Sequence, residues 1–229
     1  MGLGGMIAGA AAAKAADIAA RKAELNNLLK GRTDEQKAAI RYLYGEAGCL
    51  KKGLTDEEYD AMVMAKAKAI DFKQKALDKI GLDESQVNEV APIHFEAYWF
   101  DEKTIDVPGK DGLWRSSAYM ITWVFFSSTQ VYAYQYTFNM ANDTKNEKTE
   151  EYFYKDITNF STTTETAEKL VPIKKNCKGE AVLGRTNVES NRFMISAMGD
   201  KFYCATKNND YTEKAIQGMK AKLREKKEQ

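Results

Sequence analysis

Residues Thr149–Thr166 read T-E-E-Y-F-Y-K-D-I-T-N-F-S-T-T-T-E-T, two runs rich in aromatic and β-branched residues on either side of a Lys-Asp pair. Such runs, with side chains that alternate in character, are typical of β-strands. We expect Lys155 and Asp156 to form the corner between two strands, with Phe153 and Ile157 in the core. The stretch therefore predicts β structure in the middle of a longer β-rich region.

The β-rich region extends in both directions from this corner. Period-two patterns separated by turn residues predict strands over His94–Phe100, Arg115–Ser127, Gln130–Met140, Glu150–Lys155, Ile157–Thr164, Ala181–Leu183, Arg192–Met198 and Phe202–Thr206. The segment Asp101–Gly112 contains Pro108-Gly109 and Asp111-Gly112, which indicate a turn-rich connection. We therefore expect an antiparallel sheet structure built from short strands.

Two of these predicted strands have side-chain patterns that indicate what covers their faces. The run Arg115–Ser127 is apolar on both faces, which predicts a central strand or one covered by the helical part. The run Gln130–Met140 carries a stripe of Tyr132, Tyr134 and Tyr136. A stacking platform for single-stranded nucleic acid or sugar is one interpretation. Because no Lys or Arg is interleaved with the stripe, the core of a sheet is the preferred one.

The chain before Pro92 is instead rich in Ala, Lys, Glu and Asp, which favours helices. A first helix is predicted from Gly5 to Leu29. Capping boxes at Thr33–Gln36 and Thr55–Glu58 predict the starts of two more helices, the second running to Ile80 before Gly81.

The chain also ends in a predicted helix. Asp210–Glu213 has the form of a capping box, and Ile216, Met219 and Leu223 form one apolar stripe. The opposite face is basic, with Lys220, Lys222, Arg224, Lys226 and Lys227.

The strand series followed by one helix resembles a bacterial pleckstrin-homology-like domain over Ile93–Lys226. The resemblance rests on E-Y-F-Y-K-D-I-T-N-F and on D-Y-T-E-K-A-I-Q-G-M-K-A-K-L as the closing helix. It implies a small barrel of two nearly orthogonal sheets that binds partners rather than catalysing a reaction. Upstream, Leu50–Tyr59 is similar to the short helical module known as SHOCT.

The predicted fold class is therefore α+β, with an N-terminal helical hairpin or bundle followed by an antiparallel pleckstrin-homology-like β-barrel capped by a C-terminal helix. We place an Ala-rich helical module at residues 1–90. The barrel with its capping helix takes residues 91–229.

Composition excludes several classes of function. With 34 basic and 33 acidic residues the formal net charge is +1, so the basic excess of a nucleic-acid-binding protein is missing. Three scattered cysteines and one histidine match neither a disulfide framework nor a zinc site, which favours a reducing cytoplasm. Cys204 is interpreted as a small buried strand residue.

The residues do not combine into a catalytic motif. The sequence has no phosphate-binding glycine loop and no G-x-S-x-G elbow. His94 is interpreted as a partly exposed strand histidine, and the pairs Glu57/Glu58 and Glu150/Glu151 as capping or solvent-facing groups. We therefore predict no catalytic, cofactor-binding or metal-binding residues and no cofactor. The sequence does not indicate which residues would bind a partner.

Three functions remain open. The leading hypothesis is a non-enzymatic bacterial-type protein that interacts with another protein or with itself, for instance by adding a strand at an open sheet edge. The second is a peripheral membrane protein that uses the Gly/Ala-rich N-terminus and the basic terminal helix. The third is an enzyme acting on a small molecule, recognisable by polar residues converging in one cavity with a raised carboxyl pKa.

Lipid-headgroup binding in the first loop is disfavoured by its charge. The connection Asp101–Arg115 carries Lys103, Lys110 and Arg115, but it also carries Asp101, Glu102, Asp106 and Asp111.

Overall fold

The computed structural model describes residue 16 and residues 19–45, 53–175 and 181–228, which form an α+β fold with antiparallel sheets. The helices are α1 (residues 19–29), α2 (Asp34–Leu43), α3 (Asp56–Lys68), α4 (Phe72–Ile80) and α5 (Asp210–Glu228), with a 3-10 turn at Glu84–Gln86. The strands are β1 (Val90–Trp99), β2 (Asp106–Pro108), β3 (Trp114–Ser116), β4 (Ala118–Phe126), β5 (Gln130–Asn139), β6 (Lys145–Phe153), β7 (Ile157–Lys175), β8 (Ala181–Ala197) and β9 (Asp200–Ala205). The Gly/Ala-rich segment Met1–Ala13 lies outside the described residues.

The capping boxes at α2 and α3 are confirmed. The Gln36 amide nitrogen donates to Thr33 Oγ1 at 3.2 Å, and the Thr33 amide nitrogen donates to Gln36 Oε1 at 3.1 Å. Thr55 and Glu58 make the same reciprocal pair. These bonds satisfy donors that a helix start leaves without an intrahelical partner, so the sequence locates both starts correctly.

The single long helix predicted from Thr55 to Ile80 is wrong, because the chain breaks it at Ile70 and Asp71. The Asp71 carboxylate accepts from the Gln74 amide at 3.0 Å and so starts α4 as a separate helix. The break lets Phe72, which is buried, turn toward the sheet. The predicted end is confirmed, since Gly81 adopts φ 78°, a left-handed conformation that suits glycine.

The strands form two separate sheets and one short hairpin. The first sheet has the order β1-β4-β5-β6, the second has the order β7-β8-β9, and β2 pairs with β3. No strand pairing among the described residues joins the two sheets, so the structure corrects the expectation of a closed barrel. The reason lies at the corner that follows β6, where the Asp156 amide donates to the Phe153 carbonyl at 3.0 Å. There the chain leaves the first sheet and starts the second.

This corner also corrects one core assignment. Ile157 is fully buried as expected, but Phe153 is 48% exposed. Tyr152 and Tyr154 are buried instead. Successive side chains of a strand point to opposite faces, so a strand that buries Tyr152 must turn Phe153 outward.

The hairpin of β7 and β8 is much longer than the pattern predicts. Its strands have 19 and 17 residues, whereas β9 pairs only with Arg192–Ala197 of β8. The remaining length of the hairpin is a two-stranded ribbon that runs beside β2. The segment Asp101–Gly112, predicted to be a turn-rich connection, contains β2, and β2 is the strand that lies beside β7.

The first sheet is covered on both faces, as the apolar run of β4 predicts. Its inner face packs on the second sheet and α5 in a cluster that includes Phe95, Met120, Val124, Phe193, Ile195 and Ile216. Its outer face packs on α2, α3 and α4 in a cluster that includes Leu43, Tyr59, Val63, Phe72, Tyr119, Ile121, Tyr134 and Phe138. Tyr132, Tyr134 and Tyr136 belong to this outer cluster and are buried, so the stripe is core. Cys204 is buried in the inner cluster, as expected.

The terminal helix buries the predicted stripe, but its cap differs. Asn209 Oδ1 accepts from the Thr212 amide at 2.9 Å, so α5 is capped one residue before the predicted Asp210. Two lysines of its basic face are also engaged, because Lys222 and Lys226 lie 2.7 Å and 3.1 Å from Glu89 Oε1. These ion pairs fasten the helix to the chain just before β1.

Candidate functional site

A cleft of about 460 Å³ opens where β4, β5 and β6 of the first sheet meet β9 of the second. Its apolar surface includes Met120 and Phe202, which also belong to the inner core. Gln135 holds the two sheets together here, since its Nε2 donates to the Tyr203 carbonyl at 2.7 Å. The cleft is therefore an opening at the edge of the inner core, and we call it the lysine cleft after the groups on its rim.

Four lysines from three parts of the chain line the lysine cleft. Lys103 comes from the connection between β1 and β2, Lys145 and Lys148 from β6, and Lys201 from β9. Lys148 lies 2.8 Å from Glu150 and its ammonium is 5.5 Å from the centre of the Phe202 ring. Lys103, Lys145 and Lys201 form no ion pair with any residue that the structure describes. Three of the four lysines that line the opening therefore have no carboxylate partner among the described residues.

Among the described residues, Asp101 is the only carboxylate on the wall of the lysine cleft, and its oxygens are already engaged. Oδ2 accepts from the Trp99 indole nitrogen at 2.9 Å, and Oδ1 accepts from the Lys103 amide at 2.7 Å. These bonds hold Asp101 in the wall, where its single negative charge offsets only part of the positive charge of the four lysines. The cleft can hold an anionic group against several ammonium donors.

The hairpin of β2 and β3 is fixed beside this site by the buried Arg115. Its guanidinium donates to Asp60 of α3 at 3.0 Å and 2.7 Å and to Asp111 at 2.8 Å and 2.8 Å. These paired bonds have the geometry in which arginine binds carboxylates most strongly. A Cβ at Gly109 would lie 2.1 Å from Arg115 Nη1, so any other residue there would displace the guanidinium from its carboxylates.

The Arg115 cluster explains why the first loop is not itself a basic site. Arg115 is 3% exposed and committed to carboxylates, and its hydrogen bonds lower the pKa of Asp111 from 3.8 to about 2. The Lys110 amide donates to Asp56 at 2.6 Å, which ties this loop to α3. Of the three basic residues that the sequence offers in this loop, only Lys103 reaches the lysine cleft.

His94 lies on β1 and is partly exposed, as expected from its position. Its ring stacks on Trp123 with centres 4.8 Å apart, and Nε2 is 3.8 Å from Glu96. Burial lowers the pKa of His94, and it does not line the lysine cleft. Glu58 serves as the capping group of α3, and Glu150 pairs with Lys148.

Sequence reasoning missed Lys145, Lys148 and Lys201 as members of one site. Lys148 could have been assigned to the inner face of β6 by strand alternation, since it shares that face with the buried Tyr152. Lys201 could not have been placed beside it, because the sequence does not show that β9 lies against the end of the first sheet.

Within the described part of the chain, no group of three or more His, Cys, Asp or Glu side chains is arranged to hold a metal ion. No helix in the described ranges is long and apolar enough to cross a bilayer.

No family model, curated protein or solved structure matches this chain.

Proposed function

We propose that the protein is a non-enzymatic interaction module whose lysine cleft binds an acidic segment of a protein partner. One observation carries the proposal: Lys103, Lys145 and Lys201 line one opening and lack carboxylate partners among the described residues. Complementary charge across an interface favours association and selects partners. The cytoplasm remains the predicted location.

We further propose that residues 91–229 form a pleckstrin-homology-like domain. Support comes from the arrangement of a four-stranded sheet, a three-stranded sheet and one C-terminal helix around a shared core. The hairpin of β2 and β3 is then an insertion between the first two strands of that domain. In such an arrangement, the opening between the sheets is where a partner can reach the ends of several strands at once.

The proposal is tested with a fluorescein-labelled oligoglutamate peptide, whose binding is followed by fluorescence anisotropy. We expect saturable binding that weakens as salt is raised, because the lysines on the rim are exposed and screened. Charge reversal at two rim positions, Lys145→Glu with Lys201→Glu, should weaken binding by about tenfold or more, since like charges then face the peptide.

A matched control reverses two exposed lysines of α5, Lys214→Glu with Lys227→Glu, and gives the same net charge. This control should bind the peptide about as well as the unaltered protein. Equal binding by the cleft variant and the control would show that net charge, and not the lysine cleft, attracts the peptide. If the unaltered protein does not bind the peptide even at low salt, the proposal is wrong.

A membrane surface is a second candidate, favoured by one exposed apolar side chain. Met198 is 83% exposed in the turn between β8 and β9, three residues before Lys201 of the lysine cleft. An apolar tip beside a basic surface suits an anionic bilayer. The basic terminal helix gives less support, since Lys222 and Lys226 are paired with Glu89.

Co-sedimentation with vesicles that contain an anionic lipid separates the two candidates. Binding that is lost in Met198→Asp but kept in Leu113→Asp, an exposed residue on another turn, favours the membrane. Peptide binding without vesicle binding favours the protein partner.

A further inference from the structure

The last strand of the first sheet has one edge that pairs with no other strand in the described part of the chain. Strand β6 lies at the end of the order β1-β4-β5-β6 and pairs only with β5. It has nine residues, and its pairing with β5 runs through the strand in one register. Such an edge presents a row of N–H and C=O groups to which another extended chain can pair.

Two hydrogen bonds at the ends of β6 show which backbone groups face the free edge. The Thr144 carbonyl accepts from the Asn139 amide at 3.1 Å, and the Tyr154 amide donates to the Thr129 carbonyl at 3.1 Å. Because the pairs of an antiparallel ladder alternate, the even-numbered residues of β6 direct their backbone groups towards β5. The odd-numbered residues direct theirs to the open side, where none has a hydrogen-bond partner among the described residues: Lys145, Glu147, Thr149 and Glu151.

The two sides of the free edge differ in charge. Tyr152 lies in the inner core, so the even-numbered side chains, including Lys148 of the lysine cleft, are on the inner face. The odd-numbered side chains are on the outer face, where Glu147 lies 3.3 Å from Lys75 and Glu151 is exposed. The inner side of the edge therefore adjoins a cationic cleft, whereas the outer side carries carboxylates.

A strand added beside β6 would contact both sides in alternation. Its side chains would lie by turns beside the lysine cleft and beside Glu147 and Glu151, since opposite residues of a pair share a face. Acidic residues in the first set meet Lys103 and Lys201, which have no carboxylate partner among the described residues. In the second set they would meet like charge, so uncharged residues fit better there.

We propose that the acidic segment of the partner adds to the first sheet as an antiparallel fifth strand along β6, with an acidic residue at every second position beside the lysine cleft. This inference rests on the proposed function, because it states how the acidic segment is bound. On β6 the groups that face the free edge belong to residues whose side chains are on the outer face. The amides of the partner that pair with β6 therefore belong to its uncharged residues, and those of its acidic residues face solvent.

The probe is a labelled peptide of alternating glutamate and threonine with nine residues, the length of β6. Its binding to the unaltered protein is followed by fluorescence anisotropy and compared with that of two forms of equal charge. One form is N-methylated at the backbone of the threonines, which removes the donors that face β6 and should weaken binding by about tenfold or more. The other is N-methylated at the glutamates and should bind within about twofold of the parent peptide.

A variant of β6 tests the same edge from the side of the protein. The Thr149 amide faces the open side, so Thr149→Pro removes no bond to β5 and places a ring at the edge. It should weaken binding of the alternating peptide by about tenfold or more. The matched control Thr149→Ala keeps the amide and should bind normally. If Thr149→Pro lowers the melting temperature, the comparison of methylated peptides decides, because it uses the unaltered protein.

The outcomes separate strand addition from the proposed function. Equal binding of the two methylated forms, or a greater loss from methylation at the glutamates, would show that strand addition is wrong. The acidic partner would then still stand if Lys145→Glu with Lys201→Glu weakens peptide binding. If neither oligoglutamate nor the alternating peptide binds, both proposals are wrong.

A second copy of this chain is the other possible occupant of the edge. Sedimentation velocity of the protein alone tests it. Dimers that are lost in Thr149→Pro and kept in Thr149→Ala would assign the edge to self-association and overturn the inference. A monomer at the concentrations where the alternating peptide binds supports it.

Discussion

The two faces of the first sheet are both buried, but they are built from different chemistry. The inner face meets the second sheet through phenylalanines and aliphatic side chains, with Phe193 of β8 lying 5.4 Å from Phe95 and 5.8 Å from Phe160 between ring centres. The outer face meets the helices through tyrosines. Tyr59 of α3 donates to the Ser116 carbonyl at 2.9 Å, and Tyr98 of β1 donates to Asp60 at 2.5 Å.

The two faces therefore hold the neighbouring helices and strands by different kinds of interaction. Apolar burial is non-directional and scales with area, so the inner face tolerates small shifts without losing its stabilisation. The outer face adds directional bonds, and each buried polar group there needs its partner. We therefore expect the helices to depend on a few specific contacts, whereas the pairing of the sheets depends on the volume of the core.

The largest effect is expected at the centre of the inner face. Phe193→Ala removes a fully buried ring that touches both sheets, and it should lower the free energy of unfolding by about 3 to 5 kcal/mol. Urea denaturation followed by tryptophan fluorescence measures the change. Met198→Ala, at an exposed turn, is the control and should change stability little. A loss of under about 1 kcal/mol in Phe193→Ala would mean that the inner face is not a close-packed core.

A smaller effect is expected on the outer face. Tyr59→Phe keeps the ring but leaves the buried Ser116 carbonyl without this donor, which should cost about 1 to 3 kcal/mol. Hydrogen exchange should rise in α3 more than in β8 if the outer contacts hold the helices specifically. The control is Tyr203→Phe, whose hydroxyl has no hydrogen-bond partner in the described part of the chain. A uniform rise in hydrogen exchange across the whole chain would instead show that the two faces unfold as one cooperative unit.

The smallest effect concerns acid stability at the edge of the outer face. Hydrogen bonds from Arg115 depress the pKa of Asp111 from 3.8 to about 2. A depressed folded pKa stabilises the fold above the unfolded value, and this stabilisation is lost as pH falls from about 4 towards about 2. The melting temperature should therefore fall more steeply over this range in the unaltered protein than in Asp111→Asn.

The contribution of Asp111 will be modest because its side chain is 41% exposed and solvent screens the pair. Asp34→Asn, an unburied carboxylate, should follow the unaltered protein. Identical curves for the unaltered protein and Asp111→Asn would show that the Arg115 cluster does not contribute to stability in acid.

Much of the local structure followed from short patterns in the sequence. The capping boxes at Thr33 and Thr55 and the left-handed glycine at Gly81 are interactions between near neighbours, so the residues alone specify them. The two apolar faces of β4 likewise indicated a strand covered on both sides. The break at Asp71 was missed because apolar residues continue at helical spacing on both sides of it.

The candidate sites were less predictable because they are assembled from distant segments. Lys103, Lys145 and Lys201 are far apart in sequence, and only the packing of β9 against the end of the first sheet brings them to one cleft. Asp106 was read as one charge in a slightly acidic loop. The structure instead buries it beside Lys169 of β7, 63 residues further along the chain.

The sequence by itself determined the α+β class, the starts of α2 and α3 and the burial of the tyrosine stripe, because these depend on periodicity and on hydrogen bonds between neighbours. Only the tertiary structure decided that the strands form two sheets without closing a barrel and that the chain changes sheets after β6. It also decided which charges remain unpaired. Such features depend on contacts between residues distant in sequence, and local patterns of side chains do not encode which of those contacts form.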